Sequence, residues 1–127
     1  MTENEIATAI LDAAFKIHRI LGPGLLESVY QATLDFELQK RGLGVTQQVG
    51  LPVYYEDIKL ELGFRVDLIV ADKVIIEIKS VEALAPVHRK QLLTYLRLMN
   101  LRLGLLLNFN VELMKHGIQR VVNGLEP

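Results

Sequence analysis

The spacing of apolar positions changes several times along the chain, and each change marks an element. Ile6, Ile10, Ala14, Ile17 and Leu21 recur at helical spacing and predict an amphipathic first helix. Thr2 with Glu5 fits a capping box at its start, and Gly22-Pro23-Gly24 breaks it. A second helix is predicted from about Leu25 to Arg41, with Lys40 and Arg41 suiting its C-terminal dipole and Gly42 its stop. Residues from about Val45 to Tyr55 predict a first strand, bent near Gly50 and Pro52. The period then becomes two. Phe64, Val66, Leu68 and Val70 fall on one face, with Arg65, Asp67 and Ile69 on the other. Beyond Ala71-Asp72-Lys73, Val74, Ile76 and Ile78 share a face while Ile75, Glu77 and Lys79 take the opposite one. The connecting loop lacks the Gly or Asn of a strong hairpin turn. Pro86 can begin a third helix reaching about Met99, and Arg102 to Phe109, nearly all aliphatic, predicts a fully buried strand. A short final strand near Ile118 to Val122 can follow. Helix, helix, three strands, helix and strand in that order predict an α/β protein, a sheet covered by helices.

The two period-two runs bring chemistry together. If Val70 pairs with Val74, Asp67 falls opposite Glu77, with Cβ atoms roughly 4.5–5.5 Å apart. Bare like charges there are mildly destabilising, and a bound cation turns the repulsion into attraction. A slip of one residue would break the match between the two apolar faces, so this register is preferred. Two acids with Lys79 beside them are what metal-assisted phosphodiester cleavage requires. The same residues also fit an exposed strand face on which Arg65, Asp67, Glu77 and Lys79 form a ladder of ion pairs, each worth about 0–1 kcal/mol.

Composition narrows the field. The 127 residues predict a single domain, able to bury roughly 65% of its extended-chain surface without disulfides or structural metal. The absence of cysteine excludes thiolate zinc sites and cysteine nucleophiles and suits a reducing cytoplasm. The N-terminus is acidic, unlike a secretory signal, and no apolar run approaches the ~20 residues of a membrane span. A formal charge of −1 gives no global attraction to nucleic acid. Phosphate binding would have to come from local basic groups or from a partner.

Two further constellations lie on the helices. Glu27, Tyr30 and Gln31 share a face of the second helix. Glu27 equally suits the helix dipole, and Tyr30 equally suits packing. His88, Gln91 and Tyr95 form a stripe on the third helix, while Leu92, Leu93 and Leu96 supply its apolar side.

Taken together, these residues carry a resemblance. Gly24-Leu25-Leu26-Glu27-Ser28-Val29-Tyr30 matches the signature of the GxxExxY proteins, a branch of the PD-(D/E)XK nuclease superfamily. Val66-Asp67 with Glu77-Ile78-Lys79 resembles the superfamily motif, Val66 standing in place of its proline, and Gln91-Leu92-Leu93-Thr94-Tyr95 resembles the QxxxY element of RecB-like members. The similarity spans roughly residues 5 to 123. It implies a restriction endonuclease-like core with a mixed central sheet flanked by helices, and a nuclease acting on DNA with Mg²⁺ or Mn²⁺. Carried over, Asp67 and Glu77 would bind the metal, with the Ile78 carbonyl and Glu27 as further ligands, Glu27 directly or through water. Lys79 would orient or deprotonate the attacking water, and Tyr30, Gln91 and Tyr95 would position substrate. His88, Arg65, Arg89 and Lys90 are lesser candidates for phosphate contact. The alternative is a non-catalytic nucleic-acid-binding or protein-interaction module that keeps the fold, or a subunit needing a partner. A homodimer or partner protein would supply surface that a minimal core lacks for gripping a duplex.

Overall fold

The computed structural model describes residues 1–125, the side chains of residues 61 and 62 apart. Helix α1 runs Glu3–Leu21 and begins with the expected capping box: Glu5 N–H donates to Thr2 Oγ1 and Thr2 N–H to Glu5 Oε1. Its buried stripe contains Ile6, Ile10, Ala14 and Ile17 but ends at His18, whose Nε2 donates to the Val111 carbonyl at 2.6 Å. Leu21, expected in the stripe, is exposed beside the terminating Gly22. Helix α2 runs Glu27–Lys40, shorter at both ends than expected, and buries Tyr30, Leu34 and Leu38 at successive turns. Lys16 of α1 pairs with Glu37 of α2 at 2.9 Å, and Arg41 bridges Asp12 and Glu37, so charge as well as apolar contact holds the helices together.

The sheet has five strands in the order β1-β2-β3-β4-β5, namely Val45–Tyr55, Ile58–Val70, Val74–Lys79, Leu103–Asn108 and Ile118–Val122. All neighbours are antiparallel except β3 and β4, which are parallel and joined through helix α3, Pro86–Met99. A parallel pair needs such a crossover. β3 and β4 are buried almost throughout, as their largely aliphatic composition requires. The register between β1 and β2 shifts between Leu51 and Val53, at Pro52 and opposite the close approach of Gly63, where a Cβ would lie 1.5 Å from the Leu51 carbonyl oxygen. Among the described residues no helix is long and apolar enough to cross a membrane.

Each face of the sheet has its own core. Helices α1 and α2 cover Leu68, Val70, Val74, Ile76, Ile78 and the odd-numbered leucines of β4. Helix α3 covers Val66, Ile69, Ile75 and Leu106 through Leu92, Tyr95 and Leu96. Val66 and Leu68 therefore pack on opposite faces although two residues apart, which corrects the expectation that Phe64 to Val70 alternate regularly. The Phe64 ring accordingly meets Tyr95 of α3, centroids 5.4 Å apart. β2 rotates between Val66 and Leu68, and Asp67 stands at the rotation.

Candidate active site

Asp67 lies where one backbone ladder is interrupted and another ends. β1 and β2 pair at Gln47 with Leu68 and again at Val49 with Val66, but not between Gln48 and Asp67. On the other side β2 and β3 pair from Val70 with Val74 as far as Leu68 with Ile76. The register is the expected one and brings Asp67 level with Glu77, yet side chains replace the backbone partners there. Ile78 N–H donates to Asp67 Oδ2 at 2.8 Å, and Asp67 N–H donates to Glu77 Oε1 at 3.2 Å. The two carboxyl groups thus accept from the backbone N–H groups that lack a ladder partner, so the strands part here without orphaning these donors. Ile78 has its carbonyl on the same strand edge as its N–H, toward Asp67.

The electrostatics are those of an unneutralised acid pair. Burial, and then the neighbouring Asp67, push the Glu77 carboxyl up to about 8 against the opposing pull of the Asp67 N–H and of Lys79. Ion pairs join α1, α2 and Arg41, and among the described residues none involves Arg65, Asp67, Glu77 or Lys79. The strand-face ladder of ion pairs is therefore not formed. Lys79, half-buried and level with Asn108 of β4, has no hydrogen bond from its amine among the described residues. Tyr95 is buried on the α3 side, and burial, Glu77 and Asp67 together push its phenol up to about 12, so it remains a neutral donor at any working pH.

Other candidates are placed differently. Glu27 sits at the start of α2, where its Oε1 accepts the Ser80 N–H at 3.2 Å. It ties α2 to the end of β3, and no group of three acidic or histidine side chains able to hold a metal occurs among the described residues. The contact the structure gives the Glu27 carboxylate is this anchor. Tyr30 is fully buried, its ring stacked on Phe109 at 4.5 Å and its hydroxyl donating to the Gly22 carbonyl at 2.6 Å. It cannot touch a substrate from there, which corrects the positioning role that the resemblance implied; it fastens the Gly22-Pro23-Gly24 turn instead. Gln91, half-buried one turn before Tyr95, forms no hydrogen bond among the described residues. His88 accepts the Ala85 N–H at 3.0 Å and caps α3, and Arg89 donates to the Arg120 carbonyl of β5. Arg65 and Lys90 are exposed.

Three contributors had no motif to announce them. Ser80 donates to the Leu25 carbonyl through its hydroxyl at 2.7 Å as well as to Glu27. Asn108, buried at the end of β4, clasps Val81 through both N–H and C=O and so fixes the segment leaving Lys79. Gln48 points its amide at Asp67 Oδ1 from 3.5 Å. A polar residue at the end of a buried aliphatic strand was the available signal for Asn108; Gln48 offered none.

The donor set fits a hard divalent cation. Two carboxylates close enough to raise the pKa of one of them, with a backbone carbonyl on the same edge, supply the oxygen ligands that Mg²⁺-like ions take alongside retained water. A mixed sheet between helices, opened at its centre around an acid pair and a lysine, is a nuclease-type α/β fold. The chain belongs to the PD-(D/E)XK nuclease superfamily, whose family model matches residues 4–121. Members of that superfamily generally use divalent metal ions, and nucleic acid is their substrate class. No curated protein and no solved structure matches the chain.

Proposed function

We propose that this protein is a divalent-metal-dependent nuclease of the GxxExxY branch that hydrolyses phosphodiester bonds in DNA. The observation that carries this is the acid pair itself: Asp67 and Glu77 meet without a cationic partner among the described residues, at a cost visible in the raised Glu77 carboxyl. Structural carboxylates are normally paired. Asp67, Glu77 and the Ile78 carbonyl would hold Mg²⁺ or Mn²⁺. Bound there, the cation supplies Lewis-acid polarisation of a phosphoryl oxygen and a more acidic water.

The protein's own groups do the rest. Asp67 is oriented by the Ile78 N–H and Glu77 by the Asp67 N–H, so neither carboxylate needs to reorganise when charge develops. Lys79 donates from its unpaired amine to the attacking water or to a phosphate oxygen and offsets negative charge on phosphorus. Tyr95 walls the acids from the α3 side, and Gln91 offers a free amide to the substrate backbone. Glu27 and Asn108 hold the segment after Lys79 from opposite sides, fixing where that lysine's strand ends.

The test is a panel of single- and double-stranded DNA and RNA incubated with purified protein in Mg²⁺, Mn²⁺ or chelator. Metal-dependent cleavage of DNA that disappears in Lys79→Ala is expected. Calorimetry with either cation, with Asp67→Ala as control, separates binding from chemistry; no binding at millimolar cation would sink the metal site. Binding without cleavage of any substrate would replace the nuclease with a binding module or a subunit that needs a partner.

A further inference from the structure

Among the described residues Gln48 is one of five non-glycine residues with positive φ, at +49°, and of these five it alone lies inside a strand rather than at a turn or helix end. A left-handed residue of this kind costs of order 1 kcal/mol or more and persists when its surroundings fix it. Here it coincides with the gap between β1 and β2 opposite Asp67. The side chain it presents belongs to a chain of amides whose polarity can be followed from the far end. Asp35 of α2 is buried and its carboxylate only accepts. Gln39 donates to its Oδ1 at 2.6 Å and Gln47 donates Nε2 to its Oδ2. With its nitrogen committed, Gln47 turns its oxygen to Gln31, which donates to it at 3.3 Å. Gln31 therefore turns its own oxygen to Gln48, accepting from Gln48 Nε2 at 3.0 Å. That nitrogen carries two hydrogens, and the second is directed at Asp67 Oδ1, 3.5 Å away.

We propose that Gln48 is a positioning residue for the Asp67 carboxylate, held as a donor by Asp35 through Gln47 and Gln31. It rests on the metal-site assignment above and adds to it a cause for the orientation of one ligand. Asp67 has its Oδ2 fixed by the Ile78 N–H, and a donor on Oδ1 removes the remaining freedom to rotate. Had the Gln48 amide been reversed, its oxygen would face the carboxylate and turn it away. The remote Asp35 prevents that reversal without touching the site. Such partners of metal ligands characteristically matter by roughly 10–100-fold in metal affinity, and the long contact here places Gln48 at the lower end.

The experiment measures Mn²⁺ affinity by calorimetry and thermal midpoint by circular dichroism for wild type, Gln48→Gly and Gln31→Leu. Glycine accepts positive φ, so Gln48→Gly removes the amide while relieving the backbone. Its melting temperature should hold or rise while Mn²⁺ binding weakens by about 10-fold. Gln31→Leu, which releases Gln48 from its relay, should weaken binding in the same direction by less. A purely structural Gln48 would show the reverse, a lowered melting temperature and unchanged Mn²⁺ affinity, and wild-type affinity in both variants overturns the proposal. Failure of the wild type itself to bind Mn²⁺ removes the metal site, and is distinguished by being seen before any substitution is made.

Discussion

The β2–β3 hairpin has two halves that obey different rules. Near its turn, Leu68, Ile69 and Val70 pair in strict register with Ile76, Ile75 and Val74, and every one of the six side chains is buried. One residue further, at Asp67 and Glu77, the ladder ends and carboxylates take up the backbone donors. The first half is held by apolar burial on both faces of the sheet. The second is an electrostatic liability that the first must carry, since an unneutralised acid pair with one member buried gains nothing for stability. Substitutions should therefore separate cleanly, with chemistry lost in one half and folding in the other.

The largest separation is expected at Asp67→Ala. Cation binding and any cleavage should vanish, while the protein stays folded in chelator: loss of the acceptor for the Ile78 N–H costs about 1–3 kcal/mol, offset in part because Glu77 loses its repulsive neighbour; a collapsed fold would erase the distinction between the halves. Ile76→Ala in the turn half should do the opposite, costing about 2–5 kcal/mol in denaturant unfolding through loss of fully buried methyl groups. Its residual folded fraction should still bind Mn²⁺. A pH titration sharpens the picture from the open half. The folded Glu77 titrates at about 8 and the unfolded one near about 4.3, so the native state retains a proton that the unfolded chain has released between those values. Stability of the metal-free protein should fall as pH rises through that window, by on the order of a few kcal/mol, and level off above it. Glu77→Gln should flatten the slope and be the more stable protein at pH 8; an unchanged slope would mean that another group carries it. Gly104→Ala gives the smallest effect. A methyl there would lie 2.9 Å from the Leu92 side chain beneath α3, costing about 1–3 kcal/mol by overpacking with Mn²⁺ affinity unchanged.

Much of this was legible in the chain because burial leaves a period. The Thr2 and Glu5 cap, the α3 limits at Pro86 and Met99, the span of β1 and the pairing of Val70 with Val74 all follow from spacing and apolar pattern. The rotation of β2 was illegible for the same reason. Val66 and Leu68 are apolar whichever core receives them, so a period of two cannot report that the strand changes sides between them. The turn carried no glycine or asparagine, yet Ala71 and Asp72 both take positive φ, with Lys73 N–H closing onto the Val70 carbonyl. Tertiary pairing on either side imposes a conformation that local preference disfavours. At the site, Asp67, Glu77 and Lys79 lie together on β2 and β3 as their spacing implied, but Tyr30 shows how a shared helix face misleads. One turn of helix separates it from Glu27, enough for one to reach the end of β3 and the other to enter the core. Gln48 escaped because nothing in a glutamine foretells left-handed backbone.

The order of strands across the sheet is their order along the chain, and this has a bearing on synthesis. As the protein leaves the ribosome, β1, β2 and β3 can pair in turn, but the far edge of β3 stays open until α3 and β4 have followed. At roughly 5–20 residues per second that takes a second or more. During that interval Val74-Ile75-Ile76 forms an unpaired aliphatic edge, the kind of segment through which nascent chains aggregate. Glu77 and Lys79 interrupt the run just where it would otherwise lengthen. Charged residues beside an unavoidable sticky strand act as gatekeepers, so the groups proposed for metal and phosphate would also guard the chain against its neighbours before there is a fold for them to serve.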